Sequence, residues 1–140
     1  NVRKNIIHIF RYNEILLNYA EAMNEYTGPT SDVYSAINAI RSRVGMPDLP
    51  SNLTQDQMRE KIRHERRVEL AYEDFRFFDI RRWRIAKNVM TRPAVGITIQ
   101  NGRFVRRVMD TRFYVDRMDL SPLPMNEVNN CPLIYQNPGY

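Results

Sequence analysis

The sequence lacks much of what common chemistries need. Its single cysteine, Cys131, excludes an internal disulfide. Its two histidines, His8 and His64, stand in different segments. No apolar run approaches the roughly 20 residues that span a bilayer. No secretory signal or lipid-attachment motif opens the chain, which leaves a cytosolic protein or a processed or shortened product. Lysine is scarce too. Only Lys4, Lys61 and Lys87 are lysines, and every other base is Arg.

That scarcity qualifies the charge. A net charge of +5 and a pI near 9.6 suit an acidic partner such as nucleic acid. A surface that merely tracks phosphates mixes Lys with Arg. Arg instead brings a rigid fork that grips carboxylates with two prongs and tolerates partial burial. The 16 Asp and Glu can occupy most of those forks internally. Of the 140 residues, 43% are hydrophobic and 11% aromatic, as expected of one globular domain with a sizeable core.

Asn5 to Phe10, "NIIHIF", reads as an extended lead-in. From about Arg11 the period turns helical, with Tyr12, Leu16, Tyr19, Ala20 and Met23 on one face and Glu14, Asn18, Glu21 and Glu25 largely elsewhere. "TGPT" ends this helix near residue 26. A second follows over 31–44, with Ser31 as N-cap, Asp32 in its first turn and a stripe of Val33, Ile37, Ile40 and Val44. So short a link makes the two helices an antiparallel hairpin of the tetratricopeptide kind. "MPDLPSNL" is a loop. Thr54 and Gln57 then form a capping box opening a helix over 54–73, and a break near Asp74 separates a further helix over 75–90.

Asn101-Gly102 between β-prone runs signals a β-hairpin over 95–108. A two-residue turn sets Ile99 opposite Phe104, Ile97 opposite Arg106 and Val95 opposite Val108. That face is apolar apart from Arg106. The Pro- and Asn-rich end reads as an irregular strap packed on the core. The sum is a mainly α fold: a tetratricopeptide-like hairpin, two further helices, a small β-hairpin and a C-terminal strap, in a single domain over 1–140.

The stretch "IRHERRVELAYEDFRFFDIRRW" concentrates the charge. On a helical wheel its apolar stripe, Met58 and Ile62, continues into Glu65, Glu69 and Tyr72, flanked by Arg66 and Glu73. A carboxylate buried alone costs several kcal/mol, so each acid needs an arginine. Arg66 and Arg76 are near in sequence, and Arg41 and Arg43 can reach from the second helix. The expectation is a structural ionic network of Glu65, Arg66, Glu69, Glu73, Arg76, Asp79 and Arg82 at the junction of the last two helices.

Three functional readings compete with it. The glutamate pairs Glu65/Glu69 and Glu69/Glu73 resemble half of a carboxylate metal site, but no Glu-x-x-His accompanies them and "HERRV" lacks the second zinc-protease His. No metal and no cofactor are expected. Carboxylates crowded by arginines stay ionised, the wrong state for a general acid. "RFFDIRRWRIAK" offers Phe78, Arg81 and Arg82 to a nucleic acid, with Asp79 interrupting the patch. Among the aromatics, Tyr12, Tyr19 and Trp83 read as core, Phe75 and Phe78 as packed and Phe77 as partly exposed.

Four stretches in order carry a resemblance. "RYNEILLNYAEAMNE" is similar to the Arg-Tyr-x-Glu-x-x-Leu-x-x-Ala-Glu-Ala helix of the SusD/RagB family. "AINAIRSRVGMP" resembles its Asn-x-x-Arg-x-Arg-x-Gly segment. "IRHERRVELAYEDFRFFDIRRW" resembles its Glu-Arg-x-x-Glu-Leu-x-x-Glu and Arg-x-x-Asp-x-x-Arg-Trp stretch. "PLPMNEVNNCPLIYQNPGY" resembles its Pro-x-Pro-x-x-Glu segment and Gln-Asn-Pro-Gly-Tyr terminus. Asp74-Phe75 departs from the pattern where a Gly is common.

The resemblance implies a cell-surface lipoprotein of the outer membrane. Such a protein binds a glycan or other nutrient without catalysis and passes it to a SusC-like, TonB-dependent transporter, with no role for nucleic acid. Family members are several times longer, so the chain is expected to be a C-terminal portion, its lipid anchor lying in the absent N-terminal part; Cys131 is too far along to be that anchor. The matched motifs are scaffold and transfer no ligand contact. From the hairpin itself, Arg103 and Phe104 flank the turn and are the ligand candidates, although Phe104's apolar face suits it better to a core. The alternatives are a helical protein-interaction module and a basic nucleic-acid-binding domain.

Overall fold

A computed structural model describes residues 10–140; of the extended lead-in, residues 5–9 lie outside the described residues. The element order is α1 (Tyr12–Thr27), α2 (Ser31–Arg43), α3 (Gln55–Glu69), α4 (Phe75–Arg82), α5 (Ala86–Met90), β1 (Ala94–Gln100), β2 (Arg103–Asp110), a 3-10 turn (Asp116–Asp119) and α6 (Met125–Asn130). Helix dominates, as the sequence leads one to expect. The chain divides into two compact units rather than one, the first running to Arg76 and the second from Phe77 to Tyr140, so the division falls inside α4.

In the first unit α1 packs on both α2 and α3. The face it buries is not the one its aromatics mark. Leu17, Ala20, Glu14 and Asn24 are buried, while Tyr12 and Tyr19 are exposed and Leu16 and Met23 only line the core's edge. The buried stripe lies about one position along from the expected one and is the less apolar of the two, since it includes Glu14 and Asn24. The smaller side chains of the buried stripe let three helices approach closely, and the tyrosines, with a polar tip, tolerate water. Asn24 is fully buried because it has work to do. Its Nδ2 donates to Gln55 O (3.1 Å), and Gln55 Nε2 donates back to Asn24 O (2.6 Å), clasping the end of α1 to the start of α3.

Helix α2 buries Val33, Ala36, Ile37 and Ile40. Val44, the last residue of its expected stripe, lies past the helix end and is exposed. The loop to α3 is pinned by side chains: Leu49 N donates to Asn38 Oδ1 (3.0 Å) and Leu53 N to Tyr34 Oη (2.9 Å). Thr54 then opens α3 with a complete capping box. α3 ends at Glu69, four residues short of the expectation, and Tyr72 and Asp74 adopt positive φ in the turn that follows. That turn throws Tyr72 wholly into solvent, off the stripe on which helical spacing would place it.

The second unit has a smaller core of Ile80, Ala86 and Tyr114, edged by Ile85, Val89, Met90 and Met118. The helix expected over 75–90 is two, because Arg84 takes a positive φ between α4 and α5. Phe78 is exposed rather than packed, and Trp83 is half-buried. β1 and β2 pair antiparallel with Ile99 opposite Phe104, Ile97 opposite Arg106 and Val95 opposite Val108, around a turn in which Asn101 and Gly102 both have positive φ. The C-terminal strap, residues 120–140, is not wholly irregular, since it contains α6. Among the described residues none of it belongs to either buried cluster or its edge, so, contrary to expectation, it is not packed on a core. It is held by its own polar residues. Gln136 bonds both Leu123 N (2.8 Å) and Leu123 O (2.9 Å), Asn137 Nδ2 donates to Ser121 O (2.7 Å), and Tyr140 Oη to Leu120 O (3.0 Å). Gly139 has positive φ and lies so close to Arg117 that a Cβ there would meet the arginine's Cβ at 2.9 Å.

Candidate functional site

The charged stretch builds its main cluster in the first unit. Glu69, the last residue of α3, is its hub. Its Oε1 accepts from Arg11 Nη1 (2.9 Å), Asn13 Nδ2 (2.6 Å) and Arg43 Nη2 (2.9 Å). Arg11 also holds Glu73 two-pronged, through Nε (3.1 Å) and Nη2 (2.6 Å), and donates to the Glu69 carbonyl (2.7 Å). A guanidinium here meets the unpaired carbonyls and negative dipole end of α3 as well as two carboxylates. Glu65, buried one turn earlier, accepts from Arg41 (2.8 Å), which also donates to Pro47 O. Arg66 is buried, donates to Asn18 Oδ1 (2.7 Å) and sits 5.4 Å from the Phe75 ring centroid. Arg76 is half-buried and likewise engaged.

Asp79 and Arg82 belong to the second unit, where they pair at 2.9 Å within α4 with Asp79 buried. Of the seven residues, Glu65, Arg66, Glu69, Glu73 and Arg76 lie in the first unit and Asp79 and Arg82 in the second. Arg11, outside every helix and on no periodic stripe, was invisible to the wheel; its only signal was a base directly before a helix.

Electrostatically the cluster is settled. Burial opposes ionisation of Glu69, but the hydrogen bonds from Asn13 and Arg11 and the charges of Arg43 and Arg11 outweigh it and hold its carboxyl below the ordinary value. Bonding to Glu73, against a desolvation penalty, raises Arg11. A carboxylate held ionised this way cannot act as a general acid near neutral pH. Among the described residues no group of three His, Cys, Asp or Glu is arranged to hold a metal ion.

The basic-aromatic patch of α4 is also engaged. Arg81 lies 3.6 Å from the Phe77 ring centroid and donates to Phe77 O and Met118 O, and Arg82 lies 4.7 Å from that of Trp83. Tyr114 donates to Asp119 (2.8 Å), and burial together with that bond raises its pKa. Arg81 is thus tied to the second unit's own backbone, while the Arg82 side chain stays 43% exposed.

The hairpin gives a different picture. Arg103 and Phe104 are consecutive on β2, so the alternation of a strand puts them on opposite faces, and they do not converge on one ligand. Phe104 is 79% exposed, not a core residue. The hairpin also carries an open groove of about 410 Å³ lined by Val95, Ile97, Arg106, Arg107 and Val108. No helix of the described residues is long and apolar enough to cross a membrane.

Comparison with known proteins supplies the wider frame. The SusD family's sequence profile matches residues 2–140. The chain is 34% identical over 138 residues to SusD-like protein P2 of Formosa agariphila, covering 93% of this chain and 25% of that protein. Among solved structures, a SusD-like protein from Bacteroides fragilis superposes with a TM-score of 0.86 at 39% identity, over 94% of this chain and 25% of that one. A SusD-like carbohydrate-binding protein from Bacteroides fragilis gives 0.75 at 32% identity, over 89% and 28%. The chain spans about a quarter of the length of these relatives. With its motifs in family order, its helices superposing and the match running nearly from end to end, the chain belongs to the SusD family.

Proposed function

We propose that the chain is the C-terminal portion of a non-catalytic nutrient-binding protein. It would take up a glycan or other nutrient at the outer-membrane surface and deliver it to a SusC-like, TonB-dependent transporter. A lipid anchor in the absent N-terminal part would be its only tie to the membrane. The observation that carries this is the family match over residues 2–140, joined to the similarity with a carbohydrate-binding relative at 32% identity. The internal pairing of the charged stretch supports the same view. Acids and arginines that look like a site are spent on each other, which suits a scaffold that holds sugar-contacting loops supplied elsewhere. Within this chain Arg103, exposed beside the hairpin turn, is the candidate for a ligand contact.

The test is calorimetric titration of oligosaccharides into the 140-residue chain and into the full-length gene product. The full-length protein is expected to bind one glycan class, and the chain alone none. Micromolar binding by the chain alone would overturn the scaffold assignment, and a full-length protein indifferent to every nutrient offered would overturn the function.

A second reading, a helical protein-interaction module, draws on one observation. Tyr12, Ile15, Tyr19 and Tyr26 stand exposed along one side of α1, a stripe another helix could cover. It predicts a full-length protein that binds a helical partner and no nutrient.

A further inference from the structure

The β1–β2 hairpin has a sorted surface without a core beneath it. Among the described residues none of its side chains belongs to either buried cluster. On one face Val95, Ile97, Ile99, Phe104 and Val108 are 53 to 79% exposed. On the other, Ala94, Gly96 and Thr98 are half-buried, and the Met109 side chain lies over Gly96, where a Cβ would meet its Cγ at 2.7 Å. The small-residue face is thus partly covered by the hairpin's own residue while the large apolar face is bare. A two-stranded sheet is marginal in water unless a face is covered. A contiguous bare apolar patch of this kind marks an interface.

The charge is sorted as well. Arg92, Arg103, Arg106, Arg107 and Arg112 against Asp110 leave residues 92–112 at +4, nearly all of the chain's +5. Among the described residues Arg106, at the centre of the apolar face, has no acidic partner, in contrast to the paired arginines of the first unit.

We propose that this face docks onto the part of the full-length protein that lies outside these 140 residues, against an apolar segment carrying a carboxylate that meets Arg106. The inference rests on the reading of the chain as a portion of a longer SusD-family protein. Relatives up to 39% identical have about three quarters of their length outside the matched region, so the occupant is available in the same molecule. Tethering makes its effective concentration high, so a modest apolar area suffices. A desolvated arginine needs a matched acid, so the segment that covers this face has to carry one opposite Arg106.

The test uses the full-length protein in a Cys131→Ser background. Single cysteines are placed at the apolar face (Ile97→Cys) and at the exposed strand end on the other face (Gln100→Cys), and maleimide labelling rates are compared under native conditions. Position 97 is expected to label at least tenfold more slowly than position 100, and Arg106→Glu to erase most of that difference. Equal rates in the unaltered background overturn the docking. So does protection of position 97 that grows with protein concentration, which would mean a second copy, or that appears only with phosphatidylglycerol vesicles, which would mean a lipid surface. A gene product with nothing preceding Asn1 removes both this inference and the larger reading; a longer product with position 97 fully reactive removes the docking alone.

Discussion

Glu69→Gln is the sharpest probe of how the first unit is held. The substitution keeps the shape and removes the charge. Glu69 has 12% of its side chain exposed and accepts from Arg11, Asn13 and Arg43. A hydrogen bond to a charged group in such a setting contributes about 1.5–3 kcal/mol. The half-exposed Arg43 adds little, because an exposed ion pair is worth roughly 0.2–1 kcal/mol. Arg11 stays tied to Glu73 after the change, so its charge is not left alone. The net loss is about 2 kcal/mol. At roughly 2–4 °C per kcal/mol for a chain near this size, the melting temperature should fall by roughly 4–8 °C. Far-UV circular dichroism on heating reads this directly. A double-mutant cycle locates it: coupling of Glu69→Gln with Arg11→Gln should be about 1–2 kcal/mol, and with Arg43→Gln under about 0.5 kcal/mol. An unchanged melting temperature, or an Arg43 coupling as large as that of Arg11, refutes the assignment of Glu69 and Arg11 as the hub.

Two further outcomes are expected. The folded carboxyl of Glu69 titrates below its ordinary value of 4.5, so its contribution is fully present above that pH and is lost as pH falls through the lowered folded value. Melting temperatures of the wild type and Glu69→Gln should therefore converge in acid, and curves that stay parallel would contradict the pairing. Thr54→Ala removes the side-chain acceptor of the α3 capping box and should lower stability by about 1 kcal/mol, seen as a shifted urea midpoint at unchanged slope, with Thr54→Ser close to wild type.

What was legible in the sequence was local or periodic. The Thr54–Gln57 box, the Asn101-Gly102 turn with its register, and the approach of Arg41 and Arg43 to the acids of α3 all follow from spacing within one element or one short connection. Burial was less legible. On α1 two stripes compete, and the choice between Leu17 and Tyr19 depends on how closely two other helices can approach, which no single-helix wheel contains. The two-residue turn fixes the hairpin's register, but register tells which residues share a face and not what lies against it, so the apolar face that points Phe104 to a core has no core beneath it. Arg11 was missed because its partners are 58 and 62 residues away and it belongs to no period. No ligand contact was legible: the conspicuous acids around Glu69 are paired with arginines, and the hairpin candidates Arg103 and Phe104 fall on opposite faces of β2.

The pairing of Arg11 with Glu69 and Glu73 ties together chain positions that lie 62 residues apart at the widest. In a chain with one cysteine it stands where a cross-link would stand. It works on the other side of the equilibrium. A disulfide acts largely by narrowing the freedom of the unfolded chain, whereas a guanidinium fork that closes only in the folded state leaves that freedom untouched. The first unit thus gains a fastening that costs nothing in redox dependence, opens and recloses without chemistry, and is indifferent to whether its surroundings are oxidising or reducing.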